Sequence, residues 1–138
     1  MVLGKKILLS SLLITSIPVF ADLYTENYTN EDSSVRVSSG SKHPCSADAG
    51  IFTPKVQSDG SPGTSYASNN HIKLLCISSG NNMCNADIFN TKNCTGEMIG
   101  RASLDLKTYK VTNAESFGKY DIQFTNQAEG TQLTLKYK

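Results

Sequence analysis

The chain has 138 residues, 13 basic and 12 acidic side chains and a formal net charge of +1, with both signs spread along its length. That balance excludes the basic stripe of a nucleic-acid binder and the charge block that holds a protein to an anionic membrane surface. Four cysteines in so short a chain point instead to a small domain stapled by disulfides.

The chain opens Met1-Val2-Leu3-Gly4-Lys5-Lys6, a basic start, and continues from Ile7 to Ile17 without a charge. Pro18 breaks the run, and Val19-Phe20-Ala21 places small residues at −3 and −1 of a cleavage site. This is the layout of a secretory signal over residues 1–21. Its apolar run is well short of the roughly 20 residues a spanning helix needs. Residues 22–138 are then expected to be a single all-β domain with a net charge of −1, since Lys5 and Lys6 leave with the signal. No later apolar run is long enough to span a bilayer.

Past Asp22, Leu23 to Tyr28 and Val35-Arg36-Val37 read as the first strands. Residues 38–70 are dominated by Ser, Gly, Pro, Asn and Asp. The one apolar cluster there, Ile51-Phe52 with Val56, fits a short edge strand, and Gln57 to Asn70 reads as an exposed, mobile stretch. A loop of this length is functional, disordered or tied down, and Cys45 inside it argues for a tie. His71 to Ile77 and Cys84 to Phe89 read as two strands of a hairpin turning at Ser78–Asn82. Met98 to Leu106 alternates, with Met98, Ala102, Leu104 and Leu106 inward and Arg101, Ser103 and Asp105 outward. Lys107-Thr108 connects it to a strand from Tyr109 to Thr112, and Ala114 to Phe117 is the one place for a helical turn. Tyr120 to Thr125 and Thr131 to Lys138 place apolar residues at every second position, the period of a half-buried strand. Asn126 to Gly130 between them makes a hairpin loop. Seven or eight short strands about ten residues apart predict an antiparallel β-sandwich or small barrel.

The cysteines allow three pairings. Cys76 and Cys84 lie symmetrically about Gly80, facing each other if both flank one hairpin. A straight strand from Cys84 to Phe89 holds Cys84 roughly 20 Å from Cys94, whereas a disulfide needs Cα atoms within about 7 Å. Cys76–Cys84 with Cys45–Cys94 is therefore the favoured arrangement. Zinc or copper held by these thiolates with His43 or His71 is the competing reading. It fails for want of a Cys-x-x-Cys or paired-His spacing, so no metal and no cofactor is expected.

Catalytic patterns are equally absent. No Gly-x-Ser-x-Gly elbow or phosphate loop occurs. The two histidines lie beside loop segments, and Asp48, Asp59, Asp87, Glu97, Asp105 and Asp121 fall in loops or at outward strand positions. Asn27-Tyr28-Thr29 and Asn93-Cys94-Thr95 match the N-glycosylation pattern, which matters only in a eukaryotic secretory route, and the short lysine-led signal has a bacterial character. Of the six tyrosines, Tyr109, Tyr120 and Tyr137 fall on apolar faces, while Tyr24, Tyr28 and Tyr66 read as exposed and available to a binding surface.

The run Leu74-Leu75-Cys76, then Cys84-Asn85-Ala86-Asp87-Ile88-Phe89, then Asn93-Cys94-Thr95-Gly96, resembles a group of small exported γ-proteobacterial proteins with a Cys-x-Ala-Asp-Ile-aromatic strand and an Asn-Cys-Ser/Thr-Gly turn. The likeness covers roughly residues 71–138. It implies a compartment and a fold, and no catalytic residue.

These observations lead to an expected periplasmic or secreted domain that is not an enzyme and binds a protein or glycan through loop surfaces near Ser41–Pro54, together with Tyr66. The alternatives are a secreted enzyme or enzyme inhibitor with an unrecognised site, and a structural subunit that assembles by sheet edges.

Overall fold

A computed structural model describes residues 22–80, 82–128 and 130–138; the expected signal, residues 1–21, lies outside them. Its strands are β1 (Leu23–Asn27), β2 (Ser34–Val37), β3 (Gly63–Ala67), β4 (Met83–Phe89), β5 (Met98–Asp105), β6 (Lys110–Ser116), β7 (Tyr120–Asn126) and β8 (Thr131–Tyr137). Among the described residues, a short helix, α1 (Asn69–Leu75), and a 3-10 turn at Ser46–Ala49 complete the elements. The strands form two four-stranded sheets, β3-β1-β8-β7 and β2-β4-β5-β6. The fold is therefore a sandwich, without the closure of a barrel.

The alternation in β7 and β8 explains the first sheet. Tyr120, Ile122, Leu133 and Leu135 are all buried, and Ile122 pairs with Leu135. They pack against Ile88 and Ile99 of the opposite sheet. A second apolar cluster joins Val37, Ala67, Ile72, Cys76, Cys84, Leu104 and Val111 at the α1 end. Along one side, β6 leads directly into β7 and the sheets are stitched together. The Ser116 hydroxyl accepts the Ile122 N–H at 2.8 Å, and Thr131 Oγ1 accepts the Val111 N–H at 3.0 Å. On the other side the edge strands β2 and β3 face each other across residues 44–56, which Ser33–Thr53 and Arg36–Cys45 bridges hold.

Both favoured disulfides form, Cys45–Cys94 and Cys76–Cys84, with Cα separations of 6.0 and 5.9 Å. Two disulfides suit an oxidising environment. The geometric premise for the second needs correction, because Cys76 caps the end of α1 and does not lie on a strand. The segment expected as a strand from His71 is thus helical. Ser68 starts the helix by accepting the His71 N–H at 3.2 Å, and Ile72 is its buried anchor.

Five further expectations change. Gln57–Asn70 contains β3, paired antiparallel with β1 from Leu23↔Ala67 to Asn27↔Gly63. Ala114–Phe117 forms no helical turn; β6 runs on to Ser116. In β5 a bulge opposite Ile88/Phe89 turns Ile99 into the core at 1% exposure, the place assigned to Met98; an extra residue in one strand reverses the faces beyond it. Finally, the sandwich is not wholly antiparallel, for β1 runs parallel to β8. The expected Ile51–Val56 strand is reduced to the single bridge at Thr53.

One glycine sets the close approach of β3 to the preceding segment. A Cβ at Gly63 would stand 1.9 Å from the Pro54 carbonyl oxygen and 2.5 Å from that of Lys55. Gly63→Ala is expected to cost about 1–3 kcal/mol, the usual range for forced overpacking. Urea unfolding of the variant beside the parent measures it, and an unchanged midpoint would show that the Pro54–Lys55 backbone yields freely.

Candidate functional site

Every second residue of a strand faces outward, and on the first sheet this rule assembles residues distant in sequence. Tyr66 of β3 stands opposite Tyr24 of β1, which stands opposite Gln132 of β8, which stands opposite Thr125 of β7. The next outward row is Thr64, Glu26, Thr134 and Gln123. Tyr28 follows β1 and keeps to the same sheet, its N–H donating to the Leu135 carbonyl at 2.8 Å. At strand spacing each row is about 14 Å across. Three tyrosines, two of them over 40% exposed, therefore share one open face.

Carboxylates hold these rings in place. Glu26 accepts the hydroxyls of Tyr24 at 3.4 Å and Tyr28 at 3.3 Å, and the Gln132 amide at 3.1 Å. The Tyr66 hydroxyl donates to Asp22, whose other oxygen accepts the Asn69 N–H at 2.9 Å. All three phenols are pushed above the ordinary tyrosine value. For Tyr24 the main cause is burial and then the Glu26 charge; for Tyr28 it is the Glu26 charge; for Tyr66 it is the hydrogen bond to Asp22. Each therefore stays a neutral donor far above neutral pH. Beside Tyr24 lies a hollow of about 230 Å³ lined by Asp22, Tyr24, Gln127, Thr131 and Gln132. A carboxylate, a phenol and two amides around one hollow can give and take several hydrogen bonds at once.

A second polar cluster sits at the far end of the sandwich. Glu31 accepts the Tyr120 hydroxyl at 2.5 Å, the Tyr137 hydroxyl at 3.4 Å and the Asn90 amide at 3.1 Å. Lys119 Nζ lies 5.2 Å from the Tyr137 ring centre and 5.7 Å from that of Tyr120. Tyr120 is 1% exposed, and burial followed by the bond to Glu31 pushes its phenol up to about 12. This cluster ties Glu31 to two strands of the sheet.

The residues weighed for other chemistry are dispersed into local structure. His43 Nδ1 lies 3.2 Å from the Val37 carbonyl, and His71 Nδ1 lies 3.0 Å from Ser68 Oγ, the hydroxyl that caps α1. Asp87 pairs with Arg101 at 2.9 Å; Asp48, Asp59 and Asp105 accept backbone N–H groups of their own turns; Asp121 accepts the Gln123 amide. Among the described residues, no group of three or more His, Cys, Asp or Glu is placed to hold a metal ion. Asn27 is 0% exposed. Its side chain accepts the Thr29 N–H and hydroxyl and donates to the Glu31 carbonyl, so a glycan has no access to it in the folded protein. Of the tyrosines assigned to apolar faces, Tyr109 is a left-handed turn residue at φ 57, though it still packs on the α1-end cluster.

The structure separates Tyr66 from Ser41–Pro54. Tyr66 joins the outward tyrosines, whereas Ile51–Thr53 turn toward the inner side of β3, where Thr53 Oγ1 meets Ser65 Oγ at 2.5 Å. Sequence reasoning had the three tyrosines singly and missed Asp22, Glu26 and Gln132, whose part depends on pairing. Among the described residues no helix is long and apolar enough to cross a membrane. Compared with protein-family models, with curated proteins and with solved structures, the chain matches none.

Proposed function

We propose that this is an exported bacterial glycan-binding domain, periplasmic or secreted and without catalytic activity, which takes a short oligosaccharide across the tyrosine face of the β3-β1-β8-β7 sheet. The observation that carries the reading is the juxtaposition of Tyr24, Tyr28 and Tyr66 with Asp22, Glu26 and Gln132 on one open surface. A sugar presents C–H faces and a rim of hydroxyls. Tyrosine rings pack on the former, and carboxylates and amides bond the latter. The rings are oriented by their own hydroxyl bonds before any ligand arrives, which reduces the ordering cost of binding. A protein partner is the weaker fit, because protein contacts centre on a desolvated apolar core, and this face carries two carboxylates among its tyrosines.

The test is a glycan array probed with oxidised protein spanning residues 22–138, followed by titration calorimetry on the best hit. Tyr24→Ala and Tyr66→Ala should each weaken binding roughly tenfold, the loss of a contact worth about 1.4 kcal/mol. Phe52→Ala, on the other side of β3, should leave affinity unchanged. No hit on the array, or equal binding by the tyrosine variants, overturns the reading.

A further inference from the structure

The two sheets do not meet fully. Between them, on the β2/β3 side, lies a cavity of about 100 Å³. Ala86 and Ala102 form its floor, paired directly across β4 and β5, and Ala67 of β3 faces them. Core positions of a sandwich are ordinarily filled by larger side chains, and interiors tolerate few voids larger than a water molecule. Three alanines at inward positions leave the space open. Ile51 and Phe52 cover it, between the Ser46–Ala49 turn and the Thr53 bridge. Phe52 is 37% exposed, so an apolar ring marks the mouth.

The chemistry inside is hydrocarbon. Thr25, Ser33, Ser34, Ser46, Thr53 and Ser65 border the cavity, and five of these six hydroxyls bond neighbouring protein groups. Ser33 donates to the Phe89 carbonyl at 2.8 Å and Ser34 to that of Thr91 at 2.7 Å. Ser46 Oγ accepts the Val35 N–H at 3.1 Å, and Thr53 and Ser65 bond each other. A water inside needs two to four polar partners, and a lining otherwise made of aliphatic, aromatic and cystine side chains supplies few. A sugar would be no better served. The volume also falls below the roughly 150 Å³ of an engineered apolar cavity that admits benzene, so the fitting shape is slender.

We propose that this cavity is a second binding site, independent of the tyrosine face, and that it takes the end of an alkyl chain entering past Phe52, with the polar head of the molecule left in water. The alkyl chain belongs to a free amphiphile or to a membrane lipid; the chemistry recognised is the same.

Oxidised protein spanning residues 22–138 is titrated with 1-octanol and followed by methyl NMR. Saturable shifts confined to Ala67, Ala86, Ala102, Ile51 and Ile72 are expected. Ala102→Leu, which fills the floor, should weaken octanol at least tenfold and raise the melting temperature. Ala86→Val is a smaller filling that serves if the leucine variant does not fold. Sedimentation with phosphatidylglycerol–phosphatidylcholine vesicles then assigns the source: vesicle binding lost in the filled variant indicates a lipid tail, and octanol binding without it indicates a free amphiphile. Absence of saturable shifts, shifts spread over the tyrosine face, or equal octanol affinity in a folded filled variant overturns the proposal.

Discussion

Replacing Cys45 and Cys94 together by serine is expected to lower the unfolding free energy by about 4 kcal/mol, against about 2.5 kcal/mol for the Cys76/Cys84 pair. The difference follows from the sequence separations of 49 and 8, since a longer closed loop removes more freedom from the unfolded chain. Cys45 and Cys94 are also 3% and 6% exposed, so the serine hydroxyls must be accommodated in an interior with little room for polar groups. The bridge fastens the start of the Ser46–Thr53 segment, and the Cys94 N–H is held by Ser34 Oγ at 2.7 Å. Urea unfolding of the two double variants, each under oxidising conditions, gives the comparison. Equal losses would mean that strain or residual structure, rather than loop length, sets the contribution of these bonds.

Tyr120→Ala should be at least as costly, about 3–5 kcal/mol, the range for truncating a buried aromatic. Tyr120→Phe separates the hydroxyl from the ring. It keeps the packing with Tyr137, whose ring centre lies 5.6 Å away, but takes from Glu31 its shortest hydrogen bond, for about 1–3 kcal/mol. The phenylalanine variant also carries a pH signature. The folded phenol titrates near 12, against an ordinary value of 10.0. Above pH 10 the unfolded chain therefore releases its proton first. The contribution is complete below pH 10 and is lost as pH rises through 12, with a slope of at most about 1.4 kcal/mol per unit. Parent and variant stability curves should run a constant distance apart below pH 10 and converge between pH 10 and 12. A constant gap across pH 9–12 would rule out this phenol as the titrating group.

How far the sequence leads depends on the range over which each feature is written. The β7–β8 hairpin is local, and period-two alternation displays it. The helix α1 is seven residues long with Ile72 as its buried residue, too little for a helical period to show, so the β-rich surroundings misled. β3 has the sequence Gly-Thr-Ser-Tyr-Ala, with no large apolar inward residue, because it faces the open side of the sandwich. Ile99 was missed since a bulge breaks the alternation that identifies core positions. The favoured cysteine pairing forms because the symmetry about Gly80 brings Cys76 to Cys84 and strand length disfavours Cys84–Cys94, even though Cys76 is at a helix end. The tyrosine face was visible only as separate exposed aromatics. Its assembly depends on a register between β1, β3 and β8 that no local pattern encodes.

The parallel pairing of β1 with β8 has a kinetic consequence. Glu26 and Gln132, neighbours on the finished sheet, are 106 residues apart in the chain. A ribosome makes β1 long before β8, so the central ladder of this sheet has no partner until almost all of the described chain has been synthesised. Pairings of such range make folding slow. The nascent β1 meanwhile carries unpaired backbone N–H and C=O groups, the kind of edge that chaperones and other strands recognise.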